Sequence, residues 1–282
     1  MQAEFKDPLL LRRIFTLVKT RLTDVQLKFT RTHIFAQGMC SSHCSMISFN
    51  LDVAEVCSKY SFTYTEGDMM TMSFSLESLL YVMKVANKDS VVSIALVDVT
   101  AVTKKDTMDV LNVHIASPDN QCSFGMRLME IDCEELEIPV FDDDDFRNIT
   151  LESSIVSKFV KDLADDTDVV TLMVRKQDPT YLSYTVNNAI CNSAGKLTAC
   201  LGTGNGGDFD MSIGVTYLKS YCIVPPGFSE FTTFMFRKEA PLMIKYHLCA
   251  TVIKKDGMMK NNNSIMVLYI APKAVDGMED NE

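Results

Sequence analysis

At 282 residues and 47% apolar composition, the chain can bury a sizeable core, and disorder of the whole chain is excluded. Its formal charge of −10 has the wrong sign for a generic nucleic-acid binder, which usually carries a basic domain. No run approaches the ~20 apolar residues of a membrane helix, and Met1–Asp7 has none of the parts of a signal peptide. The expectation is a protein that stays inside the cell, makes no use of a membrane and keeps its nine cysteines reduced.

The first predicted element is a helix over Pro8–Arg21. Proline opens it, and Leu10, Leu11, Ile14, Leu17 and Val18 recur at helical spacing. A second helix is predicted over Ser75–Lys88, on Leu76, Leu79, Leu80 and Met83. The runs Val91–Val97 and Val110–Ile115 read as strands. An acidic stretch comes next, Met129–Phe141 and then Asp142–Asp145, and it reads as a connector. Leu136, Ile138 and Phe141 are unusually apolar for solvated chain, which marks a binding surface. Beyond it a third helix is predicted over Glu152–Leu163, and a strand over Val169–Val174. A fourth, short helix over Ile213–Tyr221 cannot run past Pro225-Pro226. Leu242–Ile253 and Ile265–Ile270 close the chain as strands.

The order strand, helix, strands, helix, strands thus occurs twice. Leu11–Phe15 matches Val156–Val160, and Leu80–Lys84 matches Val215–Lys219, which proposes a duplicated α/β half with two helices per half. The charge is segregated along the same lines. The four helical windows hold nine basic and three acidic residues, a balance of +6, which leaves −16 on the rest of a chain of net charge −10. If the helices share one face, that face is basic on an acidic protein.

Four motifs stand in register along the chain: Met39-Cys40-Ser41-Ser42-His43-Cys44-Ser45-Met46, Leu128–Asp132 with Glu135–Pro139, Ala240–Tyr246, and Leu268–Lys273. With the duplicated halves and the acidic connector, they resemble the proliferating cell nuclear antigen family of DNA sliding clamps over nearly the whole length. The resemblance implies an α+β fold of two similar clamp domains, residues 1–128 and 147–274. A connecting loop, 129–146, joins them, and an acidic tail, 275–282, ends the chain. It further implies continuous outer antiparallel sheets, four inner helices and closure of three copies into a ring around duplex DNA. Arg12, Arg13, Lys19, Lys84, Lys158, Lys161 and Lys219 would then face the DNA phosphates, independently of sequence.

Partners implied by the resemblance are DNA polymerase and other clamp-binding proteins, each bringing a peptide with Gln and an aromatic pair, and a clamp loader. Carried over by motif, the pocket for that peptide consists of Met39, His43, Cys44, Met46, Leu136, Ile138, Pro139, Pro241, Tyr269, Ile270, Ala271 and Pro272. Cys122, Phe124 and Met126 on one side, and Tyr181, Ser183 and Thr185 on the other, are the implied subunit interface. Glu137 stands where the family usually has a small Gly, and Cys40 replaces a usual Asp. The implied location is the nucleus, or the site of viral DNA replication if the source is a virus.

Other chemistry is weakly signalled. Cys40-x-x-His43-Cys44, even with Cys57, lacks the second pair of ligands that zinc sites usually have, so no metal is expected. Gly202–Gly207 spells G-x-G-x-x-G but does not open a βαβ unit, and it supports the rival reading of a nucleotide-binding enzyme only literally. No nucleophile–base pair or carboxylate dyad stands out, so neither catalysis nor a cofactor is expected. A scaffold that keeps the peptide pocket without forming a ring remains the other alternative.

Overall fold

The computed structural model describes residues 1–63, 68–96, 110–131, 136, 145–188, 192–249 and 263–273. The chain divides into two compact units. The first comprises Met1–Ser41, Ile47–Leu136 and Asn262–Met266, the second Ser42–Met46, Glu137–Asn261 and Val267–Glu282.

The elements run in the order β1 (Gln2–Phe5), α1 (Leu10–Val18), β2 (Asp24–Phe29), β3 (His33–Met39), β4 (Ser45–Asp52) and the single-turn α2 (Val53–Val56). Next come β5 (Cys57–Ser61), β6 (Met70–Ser75), α3 (Leu76–Met83), β7 (Val91–Leu96), β8 (Val110–Ser117) and β9 (Asn120–Arg127). The second half runs β10 (Arg147–Glu152), α4 (Ser153–Asp162), β11 (Val169–Arg175), β12 (Asp178–Asn187), β13 (Asn192–Thr198) and β14 (Leu201–Thr203). It ends with β15 (Phe209–Gly214), α5 (Val215–Cys222), β16 (Phe231–Phe236), β17 (Leu242–His247) and β18 (Ile265–Ile270). Among the described residues a helix succeeds the first and the sixth strand of each half, so the duplicated order is present, with α2 added. Helix starts pair Leu76 with Val215, whereas the sequence match pairs Leu80 with Val215. The match slips by one turn because residues four apart on an amphipathic helix share a face and a polarity.

This is an α+β fold of mostly antiparallel sheets with few helices. The first unit holds a sheet ordered β5-β1-β7-β8-β9 and strands ordered β6-β2-β3-β4. The second holds β13-β12-β11-β15 and strands ordered β14-β10-β16-β17-β18. Strand alternation drives the layering: β11 and β18 bury every second side chain and leave the others half-buried. Helix α1 buries Leu10, Leu11, Ile14, Phe15, Leu17 and Val18 on one stripe. Phe15 meets Phe49 and Phe74 edge-to-face, with centroids 6.0 and 6.2 Å away. In the second unit Phe228 meets the buried Tyr246 edge-to-face at 5.3 Å. Of the expected connector, only residues 129–131, 136, 145 and 146 are described; the tail 275–282 lies outside the described residues.

Candidate functional site

Arg12 on α1, Lys19 and Lys84 just past the ends of α1 and α3, and Lys158 and Lys161 on α4 are exposed and make no ion pair among the described residues. The other two basic residues of the expected DNA-facing set are already partnered. Arg13 Nη1 lies 2.5 Å from Asp7 Oδ2, and its side chain is only 18% exposed. Asp7 also accepts the Leu9 N–H at 2.9 Å, closing the start of a helix whose cap position, Leu9, has no oxygen to offer. Lys219 Nζ lies 2.8 Å from Asp165 Oδ1, and its hydrogen bond and charge hold the Asp165 carboxyl below the usual carboxylate value. Lys158 and Lys161 line an open cleft of about 630 Å³ together with Ser157, Pro225 and Pro226. Glu152, Asp162 and Glu230 share that cleft, so its charge is mixed.

The expected partner-docking residues fall into three groups. In the second unit His43, Cys44, Ala271 and Pro272 are exposed, and Pro241 and Tyr269 are half-buried. The Ala271 N–H donates to the Cys44 carbonyl at 2.9 Å, bringing the loop 42–46 against the end of β18. Met39 and Leu136, also half-buried, belong to the first unit. Ile138 and Pro139 lie outside the described residues. Two assignments need correction: Met46 is 8% exposed and Ile270 is 0% exposed, so both side chains are core. On β18 the alternation turns Ile270 inward and Tyr269 outward. Tyr269 and the nearby Val267, a position outside the matching motifs, pack on Phe146, Met235 and Met243. Burial raises the Tyr269 phenol above its ordinary pKa.

Strand β9 ends its sheet and, among the described residues, pairs only with β8, which leaves its other edge open there. Beside that edge runs a groove of about 820 Å³, walled by Tyr81 and Val82 of α3, by Phe124 and Met126 of β9, and by Met129. Tyr81 is 68% exposed and Met129 45%, while Met126 is buried. Cys122 and Phe124 are half-buried. On the other side of the expected subunit interface, strand order imposes a correction. Tyr181, Ser183 and Thr185 lie on β12, which is paired with β11 on one side and β13 on the other. Among the described residues the sheet ends in β13 on that side and in β15 on the other, and Thr198, Lys196 and Ala194 of β13 lie opposite those three residues.

The glycine-rich loop has a packing explanation. A Cβ on Gly202 would lie 2.1 Å from the Pro179 carbonyl oxygen, and one on Gly204 would lie 1.9 Å from that of Phe146. Gly204 also has φ +94, a conformation that favours glycine, and its carbonyl accepts Arg147 Nη1 at 2.8 Å. The glycines therefore let the chain pass close against the backbone at Pro179 and Phe146. The next element is β15 rather than a helix N-terminus that could meet a phosphate. Among the described residues, no three His, Cys, Asp or Glu side chains gather to hold a metal ion, and no helix is long and apolar enough to cross a membrane.

Two halves share one strand–helix order, and among the described residues each carries two basic-flanked helices of eight residues or more, a clamp-like fold. Residues 1–136 match the family described as proliferating cell nuclear antigen, N-terminal domain. The proliferating cell nuclear antigen of Chaetomium thermophilum is 22% identical over 287 residues, spanning 98% of this chain and 99% of its own. The crystal structure of the Entamoeba histolytica proliferating cellular nuclear antigen superposes with a TM-score of 0.78 at 21% identity, over 97% of this chain and 98% of that one. The PCNA2–PCNA3 complex of Sulfolobus tokodaii gives 0.74 at 16% identity, over 97% and 99%. The chain is thus a divergent protein similar to proliferating cell nuclear antigen, with the match to that family's N-terminal domain confined to residues 1–136. These likenesses support, in general terms, the role of a sliding clamp in DNA replication.

Proposed function

We propose that three copies close head to tail into a ring around duplex DNA, which tethers DNA polymerase and other clamp-binding replication and repair proteins. The observation that carries this reading is that, among the described residues, unlike strands end the sheets of the two units: β9 in the first, opposite β5, and β13 in the second, opposite β15. A heterologous contact that closes needs two different surfaces on each copy. Antiparallel pairing of β9 with β13 of the next copy would satisfy both edges. The groove beside β9 would take an apolar side chain from that copy, and Ile155 on α4, 36% exposed, is suited to it.

The exposed Arg12, Lys19, Lys84, Lys158 and Lys161 supply phosphate contacts that read no sequence. Arg13 and Lys219 join them to the extent that DNA displaces Asp7 and Asp165. Clients dock an aromatic-pair peptide, led by Gln, at the loop 42–46, Pro241, Tyr269 and Ala271–Pro272, together with Met39, Leu136 and the connector residues Ile138 and Pro139. A clamp loader opens the ring, and in a eukaryotic cell the site of action is the nucleus. Light scattering tests the assembly: a mass of about three times 31.6 kDa is expected at micromolar concentration, and a monomer would refute the ring.

A further inference from the structure

Helix α5 carries Tyr217 and Tyr221 four residues apart, so both project from one face. Each meets a serine of the loop 42–46. The Tyr221 hydroxyl lies 2.7 Å from Ser45 Oγ, a buried pair at 0% and 3% exposure. The Tyr217 hydroxyl lies 3.0 Å from Ser42 Oγ at the surface. Between the two serines stands His43 with φ 55, a left-handed conformation that a non-glycine residue keeps only when its surroundings hold it. The turn is also braced by Cys44 Sγ–H, which donates to the Ser42 carbonyl at 3.2 Å, and by the Ala271 N–H on the Cys44 carbonyl.

We propose that Tyr217 is a positioning residue for partner docking. Its hydroxyl fixes Ser42, and with it the left-handed turn at His43, so that the loop meets an incoming peptide already in shape. The proposal rests on the reading that clients dock at this loop. Burial divides the labour between the two pairs. The Ser45–Tyr221 pair belongs to the core and anchors the base of the loop, whereas the Ser42–Tyr217 pair can be lost without opening the core. A loop that spends part of its time in other conformations binds more weakly in proportion to the competent fraction. Helix α5 also carries Lys219, so one short helix would serve both the DNA-facing and the client-facing sides of the subunit.

The test compares wild type, Tyr217→Phe, Ser42→Ala and the double variant in two measurements. Amide exchange at His43 and Cys44 should quicken by about 3- to 10-fold in each single variant, the factor expected for one hydrogen bond, with α4 and β17 unchanged. Calorimetric titration with a peptide of Gln, an aliphatic residue and two aromatics should weaken by the same factor. The double variant should be no worse than either single one, because both delete one interaction. Unchanged exchange at His43 and Cys44 in Tyr217→Phe would overturn the proposal, whatever the peptide does. Faster exchange with unchanged peptide affinity overturns its docking role. If wild type itself binds no peptide, the docking reading fails, while the exchange data still decide whether Tyr217 holds the turn.

Discussion

Five of the six large apolar side chains exposed among the described residues, Met69, Tyr81, Val85, Val91 and Met129, belong to the first unit, and Ile155 alone to the second. The cores show no such imbalance. Phe15 and Phe74 in the first unit and Phe234 and Phe236 in the second are all buried. The two units thus share buried aromatic cores and differ in their exposed apolar surfaces. That difference is what a head-to-tail ring requires, since a socket on one unit needs a plug on the other.

The largest expected effects test the shared part of the comparison. Phe15→Ala and Phe234→Ala should each lower stability by about 3–5 kcal/mol, measured by urea denaturation. A loss confined to one of them would mean that the cores are not equivalent.

Next come the surfaces that differ. Tyr81→Glu replaces an aromatic wall of the groove with a second carboxylate beside Glu77 and should weaken assembly by roughly 30-fold or more, seen as monomer in a light-scattering dilution series. Ile155→Ala should act in the same direction by roughly 5-fold, because a side chain already 64% covered has little left to bury. Equal effects from both would remove the distinction between socket and plug.

A smaller contrast lies among the basic residues. Lys158→Ala should flatten the salt dependence of DNA binding by roughly 0.9 of a slope unit, whereas Arg13→Ala should change it less, since Asp7 already neutralises that guanidinium. Filter binding across a salt series reads both.

The smallest effect concerns Asp165. Lys219 depresses its carboxyl pKa in the folded chain, so their contact is fully present above the ordinary value of 3.8 and is lost only as pH falls through the depressed one. Between pH 7 and pH 5 the pair should therefore stay intact. Asp165→Asn at pH 7 should release Lys219 and steepen the salt slope by no more than about 0.9.

The helices are legible in the sequence because a buried stripe at 3.6-residue spacing identifies itself, as Leu10, Ile14 and Leu17 do on α1. Strand order is not. Strand β13, Asn192–Thr198, is polar and mostly exposed, so no apolar alternation marks it as a strand outside β12; hence motif matching puts Tyr181, Ser183 and Thr185 one strand too far in. Motif matching also groups Ile270 with Tyr269, although neighbours on a strand face opposite ways. The loop's tie to α5 joins Ser42 to Tyr217 across most of the chain, a distance at which sequence carries no signal.

The claim that the protein works by encircling DNA is tested most directly by topology. Once loaded on a closed circular plasmid, the chain should be retained through a high-salt wash and released when the plasmid is cut once. Equal loss from circular and linear DNA would contradict a ring and leave only electrostatic attachment.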